Sequence, residues 1–400
     1  MSFPAYPEYK GSGVEWLGDV PVHWQIGRLK HLLRIQGGQD YKEVESVEPT
    51  SYPVIGSGGQ FTYATDYLYD GESVLLGRKG TIDKPLYVKG KFWTVDTMFY
   101  TEVLPRANGR YAYYAATIIP FSLYSTNTAL PSMSQFDLAN HIQPLPSYKE
   151  QAQIATFLDH ETARIDALIA EQQRLIALLK EKRQAVISHA VTKGLDPDAP
   201  MKDSGVEWLG EVPAHWVVAP IKMFFRFLDG RRIPLKAEDR GGRQGEFPYY
   251  GASGVIDWID DFIFEKDHVL VSEDGANLLA RSSPISFVAR GRYWVNNHAH
   301  ILEPIDDNLE YWAEVIEDLD LSIHVTGSAQ PKLTSEALGS IVVASSPSPD
   351  ERLKIQERIT KIDKVTKELI KEAFDGINLF QERRSALISA AVTGKIDVRG

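Results

Sequence analysis

The chain of 400 residues contains no cysteine. That excludes disulfide frameworks, thiolate zinc sites and cysteine nucleophiles, and it accords with a reducing compartment. No apolar run approaches the ~20 residues needed to span a bilayer. The opening Met1-Ser2-Phe3-Pro4-Ala5-Tyr6-Pro7 lacks the apolar core of a signal peptide, so a cytoplasmic location is expected. Sequence patterns of chemistry are missing as well. There is no Gly-x4-Gly-Lys-Ser/Thr phosphate loop, and Ile55-Gly56-Ser57-Gly58-Gly59 only weakly resembles a dinucleotide turn. The Asn/Asp-Pro-Pro-aromatic tetrapeptide of amino-methyltransferases is absent. The Pro-Asp pairs at 197–198 and 349–350 have no nuclease-type Asp/Glu-x-Lys downstream. His298-Ala299-His300 has no evident third ligand and reads as a histidine pair on a strand rather than a metal site. No active site is expected.

What is present is a repeat. Ser12-Gly13-Val14-Glu15-Trp16-Leu17-Gly18-Asp19-Val20-Pro21-Val22-His23-Trp24 recurs 192 residues later at Ser204–Trp216 with two changes. Lys180–Thr192 is echoed by Phe380–Thr393. A period this long is a duplicated domain, not a solenoid unit of ~20–50 residues. Between these blocks lie short β-prone runs, such as Ser73-Val74-Leu75-Leu76 and Phe92-Trp93-Thr94-Val95. Three internal blocks align across the halves: Tyr52–Gly59 with Phe247–Gly254, Phe92–Asp96 with Tyr293–Asn297, and Thr126–Pro131 with Thr326–Pro331. The intervening side chains differ, which points to a shared framework with divergent loops.

Each half ends in a long helical pattern. From Lys149 to Lys193 there is neither Pro nor Gly, and Ile154, Leu158, Ile165, Leu168, Leu175, Leu179 and Val186 keep a near-heptad spacing, widened by Ile169 and Ile176. About 40 residues at ~1.5 Å rise make a rod of roughly 60 Å. Ile355, Ile359, Ile362, Leu369, Ala373, Phe380 and Leu387 repeat the pattern. Asp196-Pro197-Asp198-Ala199-Pro200 reads as a linker. The expected division is therefore 1–149, a β-rich domain; 150–193, a helix; 194–349, a linker and second β-rich domain; and 350–400, a second helix and tail. The fold class is α+β, with the two helices as an antiparallel coiled coil and pseudo-twofold symmetry.

The net charge of −11 argues against a nucleic-acid partner. Its distribution weakens the objection, because residues 201–349 alone carry an excess of ten acidic groups. Basic residues gather elsewhere, at Arg78-Lys79, Lys84, Lys89 and Lys91, and at Arg231-Arg232, Arg240 and Arg243.

The tandem Ser-Gly-Val-Glu-Trp-Leu-Gly block, preceded by Gly11 in the first half, with Val20-Pro21 and His23-Trp24, resembles the specificity subunit of type I restriction–modification enzymes. So do the helix start Pro146–Asp159, the run Arg164–Ile169, the Gly-x-x-Gly block at 56–59, the Thr126–Leu130 block and the helix ends at 180–192 and 381–393. The second helix start departs from the pattern, with Asp350-Glu351-Arg352 in place of Glu-Gln. The resemblance covers essentially the whole chain. It implies two target-recognition domains, each reading half of a split DNA sequence, with the long helices as spacer. It implies two adenine methyltransferase subunits and translocase–nuclease subunits as partners. S-adenosylmethionine, magnesium and ATP would belong to those partners and none to this chain. The competing reading is a duplicated scaffold that binds a protein or glycan; steep loss of DNA affinity with salt separates the two.

On the DNA-binding reading, the candidate residues are Ser57, Gly58, Gly59 and Gln60 in the glycine turn, with Ser253 in its repeat, and the cations Arg78, Lys79, Lys84, Arg231, Arg232, Arg240, Arg243 and Lys332. Arginine suits guanine edges and phosphate alike. Asn127, Asn277, Asn296, Asn297 and Gln330 carry amides able to read adenine edges. Trp16, Trp24, Trp208 and Trp216 recur in both halves and are expected to be structural, since readers of different half-sites should differ.

Overall fold

The computed structural model describes residues 3–49, 51–124, 131–326 and 331–399. The chain divides into two units. The first comprises 1–173 and 374–400, the second 174–373. Each unit therefore owns one β-rich segment, part of the long helix Tyr148–Lys193 and part of the long helix Pro349–Val392. The class is α+β.

In the first unit a seven-stranded sheet runs in the order 33–37, 98–103, 69–77, 86–94, 52–56, 59–64, 45–46. All pairs are antiparallel except 52–56 with 86–94, matched at Val54–Trp93 and Ile55–Thr94. Helix Gly109–Thr117 covers the sheet and buries Tyr111, Ala112 and Tyr114. The second unit splits the corresponding strands into a four-stranded sheet (225–227, 299–304, 268–272, 286–289) and a three-stranded one (254–259, 244–251, 294–295). The parallel pair survives there as 244–251 with 294–295. Helix Leu309–Glu317 takes the covering position.

The duplicated Pro-x-His-Trp segment has the same task in both units. Trp24 and Trp216 are each 1% exposed. Trp24 Nε1 donates to Glu150 Oε1 at 3.2 Å, and His23 Nε2 lies 2.7 Å from the same oxygen. Trp216 Nε1 donates to Glu351 Oε1 at 3.1 Å, and His215 Nε2 lies 2.9 Å from Oε2. Each glutamate sits three residues after a serine, Ser147 or Ser348, whose hydroxyl accepts from its backbone N–H at 3.4 Å. These are Ser-x-x-Glu starts of a helix, and the carboxylate links the helix start to the repeated block. The unusual second start thus keeps its glutamate. The change falls one residue later. Gln151 accepts from the Asn108 N–H at 2.9 Å, whereas Arg352 bonds the Ser346 carbonyl and Asp306.

Within each unit the two long-helix segments run antiparallel. In the first, Asp166 meets Arg384 at 3.0 Å while Glu150 meets Arg399 at 3.8 Å. In the second, Arg183 pairs with Asp363, and a Cβ on Gly194, just past the first helix, would lie 3.7 Å from Glu351 Oε1 at the start of the other. The buried stripe departs from the expected one. Ile154, Leu158, Ile165, Ile176 and Ile187 are buried, but Leu168, Leu175 and Leu369 are exposed. The seam advances by steps of three and four that pass through polar Thr162, Gln172 and Arg183, so leucines one position off it face outward.

Where Tyr114 of the first unit bonds Asp159 at 2.7 Å, the second unit has Glu314. Burial, reinforced by Asp363, Glu317 and Asp318, pushes the Glu314 carboxyl up to about 7 despite Arg183. A carboxyl with a raised folded-state value destabilises the fold once ionised. The penalty is absent below about pH 4.5 and grows as pH rises toward 7. Glu314→Gln is therefore expected to raise the melting temperature at pH 8 and to change it little at pH 5. Equal shifts at both pH values would contradict this.

Candidate nucleic-acid interface

The first two internal blocks shared by both halves and the proline that ends the third are far apart in sequence, yet main-chain hydrogen bonds draw them into one corner of each unit. In the first unit the hairpin 52–56/59–64 turns at Ser57-Gly58, and Gly59 takes φ +100°, a conformation suited to glycine. The Val95 N–H donates to the Ile55 carbonyl at 3.4 Å, and the Arg78 N–H to Thr97 at 2.9 Å. The Gly80 N–H then donates to Pro131 and the Met133 N–H to Arg78, each at 2.9 Å. The second unit repeats the circuit: Asn296 N–H to Tyr250 at 3.0 Å, Glu273 to His298 at 2.9 Å, Gly275 to Pro331 at 2.8 Å and Leu333 to Glu273 at 3.0 Å. A Cβ on Gly275 would stand 2.5 Å from the Pro331 carbonyl oxygen, so only glycine permits this approach.

One framework thus carries two sets of side chains. The first unit places Arg78-Lys79 where the second places Glu273-Asp274. Arg78 and Lys79 are exposed, and neither has an ion pair among the described residues. Arg78 is steadied by the Asp96 carbonyl at 3.3 Å and by the Phe99 ring, 5.9 Å away. They border an open cleft of about 460 Å3 that also includes Tyr124 and Gln135. Ser57, Gly58, Gly59, Gln60 and Lys84 have some exposure, Gly58, Gln60 and Lys84 most.

In the second unit, Glu273 lies 2.8 Å from Arg232 and 3.0 Å from Lys332. Burial opposes its ionisation, but these two cations outweigh burial and hold its carboxyl below the usual range. Asp274 lies 2.9 Å from His298 Nδ1. Beneath them His300 Nδ1 stands 2.6 Å from Asp229, and its Nε2 donates to the Leu333 carbonyl at 2.8 Å. Burial would raise the Asp229 carboxyl, yet His300, Ser335 and the Ile301 N–H bring it down to about 2. The two histidines of the His-Ala-His run serve different carboxylates, and the described residues contain no cluster of three or more metal-ligating side chains.

The other candidates scatter. Arg232 is an internal strut that also donates to the Ala299 carbonyl at 2.9 Å. Arg240 meets Asp257 at 3.0 Å, and Arg243 meets Asp260 at 2.9 Å and Asp261 at 3.4 Å, bracing the strand pair 244–251/254–259. Arg231 lies over the Phe264 ring at 4.8 Å, in a separate cleft with Arg226, Lys266 and Phe262. Asn277 is buried, and its amide is engaged by Ser283 N–H at 3.1 Å and the Pro284 carbonyl at 3.3 Å. Asn296 is buried and accepts from the His298 N–H at 2.8 Å. Asn297 and Ser253 are exposed. Asn127 and Gln330 lie outside the described residues. Asp274 and His298 were not singled out for this corner from sequence. The signal was available: the Gly275 and Pro331 that hold them align with Gly80 and Pro131.

A model of the type I restriction modification DNA specificity domain matches residues 21–178 and again 213–378. The chain belongs to this family. Both matches begin within the repeated Trp block and run into a long helix, so the family unit is the β-rich segment with its helix. The specificity-family relatives include Haemophilus influenzae S.HindORF215P, which carries the name of a type I restriction enzyme specificity subunit. It is 28% identical over 163 residues, 40% of this chain and 37% of that protein. The chain thus aligns with little more than a third of that relative's length. The MjaVIII type I restriction enzyme specificity subunit of Methanocaldococcus jannaschii is 22% identical across 95% of this chain and 94% of its own. A solved structure from work on assembly and conformational transition of the type I restriction–modification system superposes with TM-score 0.69 at 12% identity, over 93% of this chain and 98% of that one. It shares the fold.

Proposed function

We propose that this chain is the DNA-specificity subunit of a type I restriction–modification complex, without catalysis of its own, working in the cytoplasm. Each β-rich domain, 1–149 and 194–349, reads one half of a split target. The helix at 150–193 and the second helix within 350–400, which ends in a tail, act as spacer. The observation that carries this reading is the corner built twice on one main-chain circuit with different side chains. A binding framework that needed one ligand would have kept one chemistry. Two adenine methyltransferase subunits and the restriction–translocation subunits are the expected partners, and S-adenosylmethionine, Mg2+ and ATP are expected on them. Exposed Leu168, Leu175, Leu178, Leu369, Phe374 and Leu379 on the long helices support docking of partner helices there.

The test is domain exchange. Replacing residues 25–145 by the matching segment of a relative, in the assembled complex, is expected to change one half of the methylated motif and leave the other intact. Simultaneous change of both halves would overturn the two-reader assignment.

A further inference from the structure

The corner of the second unit is built to accept hydrogen bonds rather than to donate them. Its two nearby cations are both spent, because Arg232 and Lys332 converge on Glu273 at 2.8 and 3.0 Å. Lys332 keeps a 34% exposed side chain but is held on Glu273, and beside it stand Asp274 with a 38% exposed side chain and His298 with a 44% exposed one. Their geometry is fixed by the backbone. The His298 N–H is held by Asn296 Oδ1 at 2.8 Å, and the His298 carbonyl accepts from the Glu273 N–H at 2.9 Å. In the neutral imidazole, the contact of His298 Nδ1 with Asp274 at 2.9 Å favours the tautomer that donates to the carboxylate. With the proton on Nδ1 facing the carboxylate, Nε2 presents a lone pair. The pair therefore offers Asp274 Oδ2 and His298 Nε2 as acceptors.

An exposed carboxylate repels phosphate, so this corner is unsuited to the DNA backbone. It is suited to a base edge that presents only donors. In the major groove cytosine alone meets that description, with its N4 amino group. Adenine adds the N7 acceptor, and guanine shows acceptors only. The first unit holds Lys79 where this one holds Asp274, with Arg78 at the place of Glu273, and lysine and arginine are the side chains that pair with guanine O6 and N7. We propose that Asp274 and His298 are specificity-determining residues that select cytosine at one position of the second half-site and reject guanine there. The inference rests on the two-reader reading and extends it to named residues.

The experiment uses the complex assembled with its methyltransferase subunits and a randomised duplex library, with methylated sequences read out. Asp274→Asn keeps shape but supplies a donor. It is expected to reduce discrimination for cytosine at one position of the second half-site by about tenfold or more and to favour adenine, whose N6 and N7 match an amide. His298→Ala, an exposed truncation that keeps the carboxylate, is expected to relax the same position and carries the test if the Asn variant fails to assemble. The first half-site should be unchanged in both. A third arm exchanges residues 217–347 for those of a relative. If that exchange leaves the second half-site as it was, the two-reader reading fails. If the exchange moves it but both point variants keep the wild-type preference at every position, or relax only an A·T position, the Asp274–His298 assignment is overturned while the two-reader reading stands.

Discussion

Replacing Trp24 with Ala is expected to destabilise the first unit by about 3–5 kcal/mol, the range for truncating a large buried aromatic. The indole is 1% exposed and meets Tyr6 edge-on at 5.6 Å. Its loss would leave a cavity in the core that joins the repeated block to the long helices. It would also remove one of the bonds that hold Glu150. Burial works against ionisation of that carboxyl, but His23, Trp24 and Ser147 outweigh it and keep it below its ordinary value. A depressed carboxyl adds stability above its unfolded value, and that stability is lost as pH falls through the folded one. The variant should therefore lose most near neutral pH. Thermal unfolding followed by tryptophan fluorescence and circular dichroism checks this, and a loss under 1 kcal/mol would show the block to be dispensable packing. Trp216→Ala is the matching experiment in the second unit.

Asp306→Ala is expected to cost a similar amount, about 3–5 kcal/mol, for a different reason. The Arg352 side chain is 4% exposed and bonds Asp306 and the Ser346 carbonyl. Removing the carboxylate strands a guanidinium in the interior, and an uncompensated buried charge is more harmful than a lost bond. Asp306 also accepts from Trp312 Nε1 at 2.8 Å. Burial disfavours its ionised form, but Trp312, the Asn308 N–H and Arg352 together hold the carboxyl below its ordinary value. Its contribution is present above about pH 4 and fades as pH falls through the folded value, so wild type and variant should converge in acid. Arg352→Met on the Asp306→Ala background should recover much of the loss, because it removes the stranded charge while filling the volume. Failure of the second change to recover stability would assign the damage to Trp312 instead.

Local patterns in the chain identify their own elements well. The uninterrupted run from Lys149 marked the first long helix, and hydrophobic spacing marked its partner. Even so, Leu168 and Leu175 are exposed, because period alone does not choose between a seam and the residue beside it when Thr162, Gln172 and Arg183 occupy seam positions. The same limit applies to the basic stretch at 231–243. Four arginines close in sequence read as one cluster, yet Arg232 bonds Glu273, Arg240 bonds Asp257 and Arg243 bonds Asp260 and Asp261. A cation is legible in sequence, but the acid that neutralises it, up to 41 residues away for Arg232, is not.

The sequence by itself determined the duplication, the family, the α+β class and the absence of recognisable catalytic motifs, because each of these is written in contiguous residues or in repeats of them. It also marked the glycine turn, whose φ of +100° at Gly59 is a local demand. Only the tertiary structure decided which side chains share the candidate reading corner. That corner is assembled by hydrogen bonds between main-chain groups that any sequence possesses, such as Gly80 N–H to Pro131 and Gly275 N–H to Pro331. Apart from the glycine that the close approach to Pro331 demands at 275, such main-chain bonds leave little trace in side-chain identity. The juxtaposition of Glu273-Asp274 with His298 and Lys332, and the placing of Arg78-Lys79 at the equivalent point, therefore emerged from folding and not from pattern.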